Sequence, residues 1–147
     1  MIKHLLNNAQ KNSLQVSLRM LEEKILTMEM LIENKTITGE LYSFNVDLEE
    51  DEIKNLKNIF IEMHKLIAEM KHIFNLNDQK EFLSNQLAGM SAYYWTVFMD
   101  ETSEKLKRYG DVSPQLENVL DPGIKKFIYY IEQLATIKKG ETNNEQN

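Results

Sequence analysis

Apolar residues recur in alternating steps of four and three along most of this chain. The first row comprises Leu14, Leu18, Leu21, Ile25, Met28 and Ile32. This spacing places its members on one side of a helix and is typical of a coiled-coil seam. Ser13 or Asn12 can cap the start and Asn34 can end it, so the row predicts a first helix over 13–34. Residues 1–12 predict either a frayed arm or a short extra helix.

A second and wider row predicts a helix over 48–75. Asp47 and Glu50 have the spacing of a capping box, and four acidic residues follow where the helix dipole favours negative charge. The main row comprises Ile53, Leu56, Phe60, Met63, Ile67, Met70 and Phe74. A side row adds Ile59, Leu66 and Ile73. A stripe this broad predicts contact with two neighbouring helices.

A third helix is predicted over 78–109, from a capping box at Asp78 and Glu81 to a stop at Gly110. Small residues around Gly89 would let another helix approach closely. Its expected core side comprises Leu83, Leu87, Met90, Tyr94, Val97 and Phe98.

The last helix is predicted over 122–139, because Asp121-Pro122 has the composition of a helix start. A short helical turn is expected before it, at 114–120. The polar residues 141–147 are predicted to be a disordered tail. Between the first two helices, residues 35–46 are predicted to form a loop rather than a sheet. That loop would pack Tyr42 and Phe44 onto the helices.

Four long amphipathic helices with mostly short connections predict an all-α fold, an antiparallel up-down four-helix bundle. The predicted domain organisation is a single domain over 1–140. The alternative is an open helical array that completes its core by dimerising. The regular apolar row of the first helix is compatible with this alternative.

The composition narrows the range of functions. The net charge of −6 and the presence of only two arginines argue against nucleic acid and anionic lipid as partners. The absence of cysteine excludes disulfides and thiolate metal sites, and it fits the cytoplasm. No stretch approaches the ~20 apolar residues of a membrane span, and the N-terminus lacks the apolar core of a signal peptide. The abundance of Asn, Lys and Ile suggests an AT-rich bacterial, phage or plasmid genome.

One motif resembles half of a carboxylate-bridged di-metal site. Glu69 and His72 have the Glu-x-x-His spacing that helical bundles of the ferritin-like type use twice. Glu22 or Glu29 of the first helix and Glu101 or Glu104 of the third could supply the other carboxylates. The last helix lacks the second copy of the motif. A solvated pair at the edge of the apolar stripe is therefore the preferred interpretation, and no cofactor is expected. A metal- or ligand-binding bundle remains the alternative function.

The aromatic residues give the positive indication of function. Tyr93, Tyr94 and Trp95 are consecutive, so a helix points them about 100° apart and one bundle core cannot bury all three. Aromatic side chains at boundary positions are enriched in protein interfaces. Tyr93, Trp95 and Tyr129 are the predicted anchors. The sequence thus predicts a cytoplasmic interaction module that binds another protein or itself, and self-association would give a homodimer. It indicates no catalytic activity.

Overall fold

The computed structural model describes residues 5–137, and this part of the chain is mostly helical. Five α-helices occur within it: α1 (Asn8–Asn34), α2 (Glu50–Phe74), α3 (Leu83–Met99), α4 (Ser103–Leu106) and α5 (Leu116–Leu134). Two short strands, β1 (Thr36–Thr38) and β2 (Ser43–Asn45), and a 3-10 turn at Lys107–Tyr109 complete the elements. The all-α class is confirmed, whereas the antiparallel four-helix arrangement stays a prediction. Within the described residues no helix is both long and apolar enough to cross a membrane.

The chain divides into two compact units, Met1–Gln79 and Lys80–Asn147. The first unit contains α1, the two strands and α2. The second contains α3, α4, the 3-10 turn and α5. Each unit is built on one antiparallel pair of long helices. The predicted single domain over 1–140 and the tail at 141–147 reach beyond the described residues.

Helix α1 starts five residues before the predicted start at residue 13. Asn7 supplies a cap that the sequence prediction missed, because its side chain accepts a hydrogen bond from the Gln10 backbone at 2.8 Å. The Gln10 side chain in turn accepts from the Asn7 backbone at 2.9 Å, which completes a capping box. Two otherwise unpaired amides are thereby satisfied, and this outweighs the low helix propensity of the polar residues that follow. The predicted end at Asn34 is confirmed.

A β-hairpin follows α1, so the prediction of a loop without a sheet was wrong. β1 and β2 pair antiparallel, with Ile37 opposite Phe44. The Gly39 amide donates to the Tyr42 carbonyl at 2.7 Å and closes the turn. The missed signal was the β-branched run Thr36–Thr38, which suits a strand and supplies the partner that Phe44 needed. Phe44 is half-buried as expected, but Tyr42 is exposed.

Helix α2 begins two residues later than predicted, with Glu49 and Glu52 forming the capping box instead of Asp47 and Glu50. It ends at the predicted position, where Asn75 adopts a left-handed conformation with φ 50° and ψ 55°. All seven members of its predicted main row are half-buried. They pack toward α1, whose Ile25 and Ile32 are buried, and Leu76 buries itself just beyond the helix end.

The predicted third helix over 78–109 is broken into three pieces. α3 covers only Leu83–Met99, and Phe82 rather than Asp78 holds its N-cap position. The chain turns at Asp100, and the Thr102 side chain then accepts from the Lys105 backbone at 3.4 Å to start α4. The predicted capping box at Asp78 is therefore wrong.

The predicted break before Pro122 is absent, because α5 runs through it from Leu116. The turn predicted at 114–120 is thus the start of α5 itself. Asp121 does not cap α5. Its carboxylate accepts from the Ser103 backbone amide at 2.8 Å and from the Ser103 hydroxyl at 2.9 Å. The helix ends at Leu134, short of the predicted residue 139, which lies outside the described residues.

The core of the second unit is narrow. Ile124 and Ile131 of α5 are buried, and the buried side chain of α3 is Ser91. Phe98 of α3 stacks on Phe127 of α5, with ring centroids 5.2 Å apart. Half of the expected core side of α3 is exposed, namely Leu83, Met90 and Tyr94. One helical neighbour covers too small an arc of α3 to bury them.

The bond between Asp121 and Ser103 yields a test of this fold. We expect Asp121→Ala to lower the free energy of unfolding by about 1–3 kcal/mol, because it leaves a buried amide and a buried hydroxyl without their acceptor. Urea titration followed by circular dichroism measures the change. Ser103→Ala removes only the hydroxyl and should cost less than Asp121→Ala. Equal stability of Asp121→Ala and the natural chain would contradict the assignment.

Candidate functional site

The three predicted anchors lie on the second unit, and all are exposed. Tyr93 and Trp95 are on α3 and Tyr129 is on α5. Tyr93 is 64% exposed, whereas Trp95 is 41% exposed. Two residues along a helix correspond to a rotation of about 200°, so Tyr93 and Trp95 point to nearly opposite sides of α3. The structure therefore does not bring the three anchors together on one surface.

Trp95 is the anchor held by a specific polar contact. Its indole N–H donates to the Glu132 carboxylate of α5 at 3.1 Å. This bond fixes the ring against the partner helix and satisfies its one donor. Trp95 thus lies on one flank of the pair formed by α3 and α5, with its ring partly covered within its own unit.

The other flank carries Tyr94, Phe127 and Tyr130. Tyr93 follows the buried Ser91 by two residues and so points away from α5, but its ring contacts Tyr94 at the outer edge of this flank. We call these four residues the aromatic face. The Tyr93 and Tyr94 rings meet edge to face with centroids 5.0 Å apart. From the stacked Phe98–Phe127 pair, the rotation per residue carries Tyr130 to the same side of α5 as Phe127. All four members of the face are exposed.

Three members of the aromatic face were not predicted as site residues. Tyr94 was expected on the core side of its helix, yet it is exposed. Phe127 lies three residues after the buried Ile124, a spacing that indicates a core position, but it is more exposed than buried. Tyr130 follows the predicted anchor Tyr129 and meets it edge to face, with ring centroids 5.5 Å apart. Spacing places a residue on a side of a helix, but only the position of the neighbouring helix decides whether that side is covered.

The residues of the metal alternative are dispersed. Glu29 lies 2.6 Å from the His64 ring, measured from Oε1 to Nε2. Glu69 and His72 are exposed on α2, and Glu101 lies in the turn after α3, in the other unit. Among residues 5–137 no group of three or more His, Asp or Glu is close enough to hold a metal ion. The histidine that contacts Glu29 is therefore His64. The motif of Glu69 and His72 gave no indication of this contact.

Two depressions in the described part of the chain are lined partly by charged side chains. In the first unit, a cleft beside His64 is lined by Arg19, Glu22, Lys71 and Asp78. In the second, Glu104 accepts a hydrogen bond from the Lys107 ammonium at 2.7 Å. This bond, with the negative charge of Glu104, raises the pKa of Lys107. Lys107 is fully exposed, so the shift marks a surface ion pair.

Exposed rings on one flank offer apolar area with hydroxyl groups at its edge, a combination that suits protein contacts. Comparison with protein-family models, with curated protein sequences and with solved structures found no match.

Trp95 is the single tryptophan of the chain, so its fluorescence reports on this flank directly. We expect moderate quenching by acrylamide, because the ring is partly exposed. Glu132→Ala should increase the quenching constant by about 1.5-fold or more, since the ring loses the bond that fixes it. Glu117→Ala, an equivalent change elsewhere on α5, is the control. Unchanged quenching in Glu132→Ala would contradict the contact.

Proposed function

We propose that this chain is a protein–protein interaction module that binds another protein or a second copy of itself. The observation that carries the proposal is the aromatic face of the second unit. Tyr93 and Tyr130 are each 64% exposed, and Phe127 is also more than half exposed. Three exposed rings on one flank of a helix pair, with the Tyr93 ring at their outer edge, form an apolar surface that water solvates poorly.

Aromatic residues are suited to this role for a physical reason. A tyrosine offers a large apolar ring with few rotatable bonds, so little conformational entropy is lost when a partner covers it. Its hydroxyl can meanwhile bond to the partner or to water at the edge of the contact. Such residues dominate the binding energy of many protein interfaces.

The anchors predicted from the sequence belong to two surfaces under this proposal. Tyr93 belongs to the aromatic face, where Tyr94, Phe127 and Tyr130 extend it. Trp95 and Tyr129 lie off that face, and Trp95 already bonds to Glu132. We therefore propose the aromatic face as the main contact surface and Trp95 with Tyr129 as a secondary one. We also propose the cytoplasmic location and the antiparallel four-helix bundle that the sequence predicts. The net charge of −6 disfavours nucleic acid as the partner.

The metal- or ligand-binding bundle remains the alternative. It would use Glu29, Glu69, His72 and Glu101, and it has less support because Glu29 instead contacts His64. Elemental analysis of protein purified after metal-replete expression distinguishes the two, since a di-metal site requires stoichiometric iron, manganese or zinc.

Site-specific photo-crosslinking tests the proposed contact surface. We expect Tyr130→p-benzoylphenylalanine, irradiated in cells that express the full chain, to give one discrete adduct of higher mass. The same substitution at Tyr109 is a matched control, because Tyr109 is 77% exposed but lies on the 3-10 turn, away from the aromatic face. Mass spectrometry of the adduct distinguishes a second copy from a different protein.

The crosslinking result can go against the proposal in two ways. Absence of any adduct from Tyr130 would remove the aromatic face as a contact surface. A similar smear of adducts from Tyr130 and Tyr109 would show only random collisions. Tyr93→p-benzoylphenylalanine, at the outer edge of the same face, should reproduce the Tyr130 adduct if the face acts as one surface.

A further inference from the structure

Helix α2 carries a second row of apolar residues that α1 covers only in part. This row shares Leu56, Met63 and Met70 with the main row, and these three are half-buried. It adds Ile59, Leu66 and Ile73, which are exposed and recur every seven residues. Steps of three and four over this length are the pattern that packs against another helix as knobs into holes. We call the surface formed by Ile59, Leu66 and Ile73 of α2 together with Leu21 and Met28 of α1 the aliphatic face of the first unit.

The ion pairs that join α1 to α2 lie on the opposite side of the first unit. Lys57 of α2 pairs with Glu33 of α1 at 2.9 Å, and His64 pairs with Glu29 at 2.6 Å. Leu66 follows His64 by two residues and so points about 160° away from it around α2. The pair of helices thus has one side joined by charged contacts and one side that is aliphatic.

Each helix has a charged residue at the outer edge, or rim, of the aliphatic face. On α1, Lys24 follows Leu21 by three residues and precedes Met28 by four, so it lies on their side of the helix. On α2, Glu69 has the same relation to Leu66 and Ile73. The two rims therefore carry charges of opposite sign, each between two aliphatic residues.

The register of the two helices puts these charges at the same height. Glu29 lies opposite His64, and the helices are antiparallel, so five residues back on α1 correspond to five residues forward on α2. Lys24 is consequently level with Glu69. By the same register Leu21 is level with Ile73, and Met28 is level with Leu66, each to within about 1.5 Å, the rise of one residue.

We infer that the aliphatic face binds a second copy of this chain, with the twofold axis parallel to the helices. This axis preserves height and places α1 of one copy against α2 of the other. Leu21 then packs on Ile73 and Met28 on Leu66 across the interface. Lys24 of each copy meets Glu69 of the other at the rim. The four long helices complete a bundle in which all neighbours are antiparallel.

The charges select this arrangement over the other twofold one. An axis perpendicular to the helices would place α1 on α1 and α2 on α2. The acidic rim of α2, which includes Glu62 and Glu69, would then face itself, and like charges across an interface are unfavourable. The inference goes beyond the proposed function, because it assigns an occupant to a surface other than the aromatic face, and the two can fail separately.

Sedimentation equilibrium of the full chain tests the inference. We expect a dimer at about 100 μM that dissociates on dilution. Leu66→Lys should weaken the dimer by more than about 100-fold, because it buries two unpaired charges at the centre of the interface. Ile61→Lys is the matched control: Ile61 is 49% exposed against 52% for Leu66, but it points away from both α1 and the aliphatic face. It should leave the dissociation constant within about two-fold.

A charge exchange tests the geometry without touching the apolar residues. Lys24→Glu should weaken the dimer about five-fold or more, since each interface then holds two like-charge pairs. The double variant Lys24→Glu with Glu69→Lys should restore the natural dissociation constant to within about two-fold. Lys54→Glu, the same reversal on the outer side of α2, is the control and should have no such effect.

Several results would overturn the inference. A chain that stays monomeric up to about 200 μM would exclude the dimer, and a crosslink at Tyr130 would then still support the proposed function. A dimer that Leu66→Lys leaves intact would place the contact elsewhere. Circular dichroism checks that Leu66→Lys still folds; if it does not, the charge exchange decides, and equal dissociation constants for all three charge forms would overturn the inference.

Discussion

A pair of helices can cover only one side of each member, and this limit governs what both units of the chain expose. The apolar stripe of α2 is wide enough for two neighbours, yet α1 is the one helix that packs along it within its unit. The same holds for α3, whose apolar residues extend beyond the arc that α5 covers. In each unit the side facing the partner helix is half-buried or buried, and the flank beside it stays open. Part of the exposed apolar surface is therefore grouped on these two open flanks, while other exposed apolar residues, such as Met30 and Ile61, lie elsewhere.

The rows of apolar residues determined how much of the fold could be predicted. Periodicity gave the existence of the long helices and the correct side of α2, since it depends only on the rotation per residue. The ends were less predictable because they depend on competing caps. Asp121 illustrates the competition: next to Pro122 it resembles a helix cap, but its carboxylate is taken by Ser103, eighteen residues earlier. No local pattern contains that contact. The strand Thr36–Thr38 was missed for a related reason, since a strand needs a partner that lies across a turn.

The site was predicted less well than the fold, and the reason is again the neighbouring helix. Three consecutive aromatic residues on a helix cannot all be buried in one core, and the exposed Tyr93 agrees with that prediction. The sequence does not specify which flank of α3 faces α5. That position decides that Tyr94 lies on the flank of Phe127 and Tyr130, whereas Trp95 bonds to Glu132. The same holds for the Glu-x-x-His spacing of Glu69 and His72. A motif on one helix does not determine which side chains of another helix lie close enough to complete a metal site.

The two open faces differ in a way that bears on what each can bind. The aliphatic face repeats every seven residues and has branched or unbranched aliphatic side chains without polar atoms, so it suits a regular partner, a helix in fixed register. The aromatic face has no such repeat, and its tyrosine hydroxyls can bond in several directions. It can therefore accept partners of different backbone conformation. A chain that used the first face to form a symmetric dimer would present the second face twice, at positions related by the twofold axis. A partner with two matching sites would then gain in apparent affinity from the second contact without any new kind of interaction.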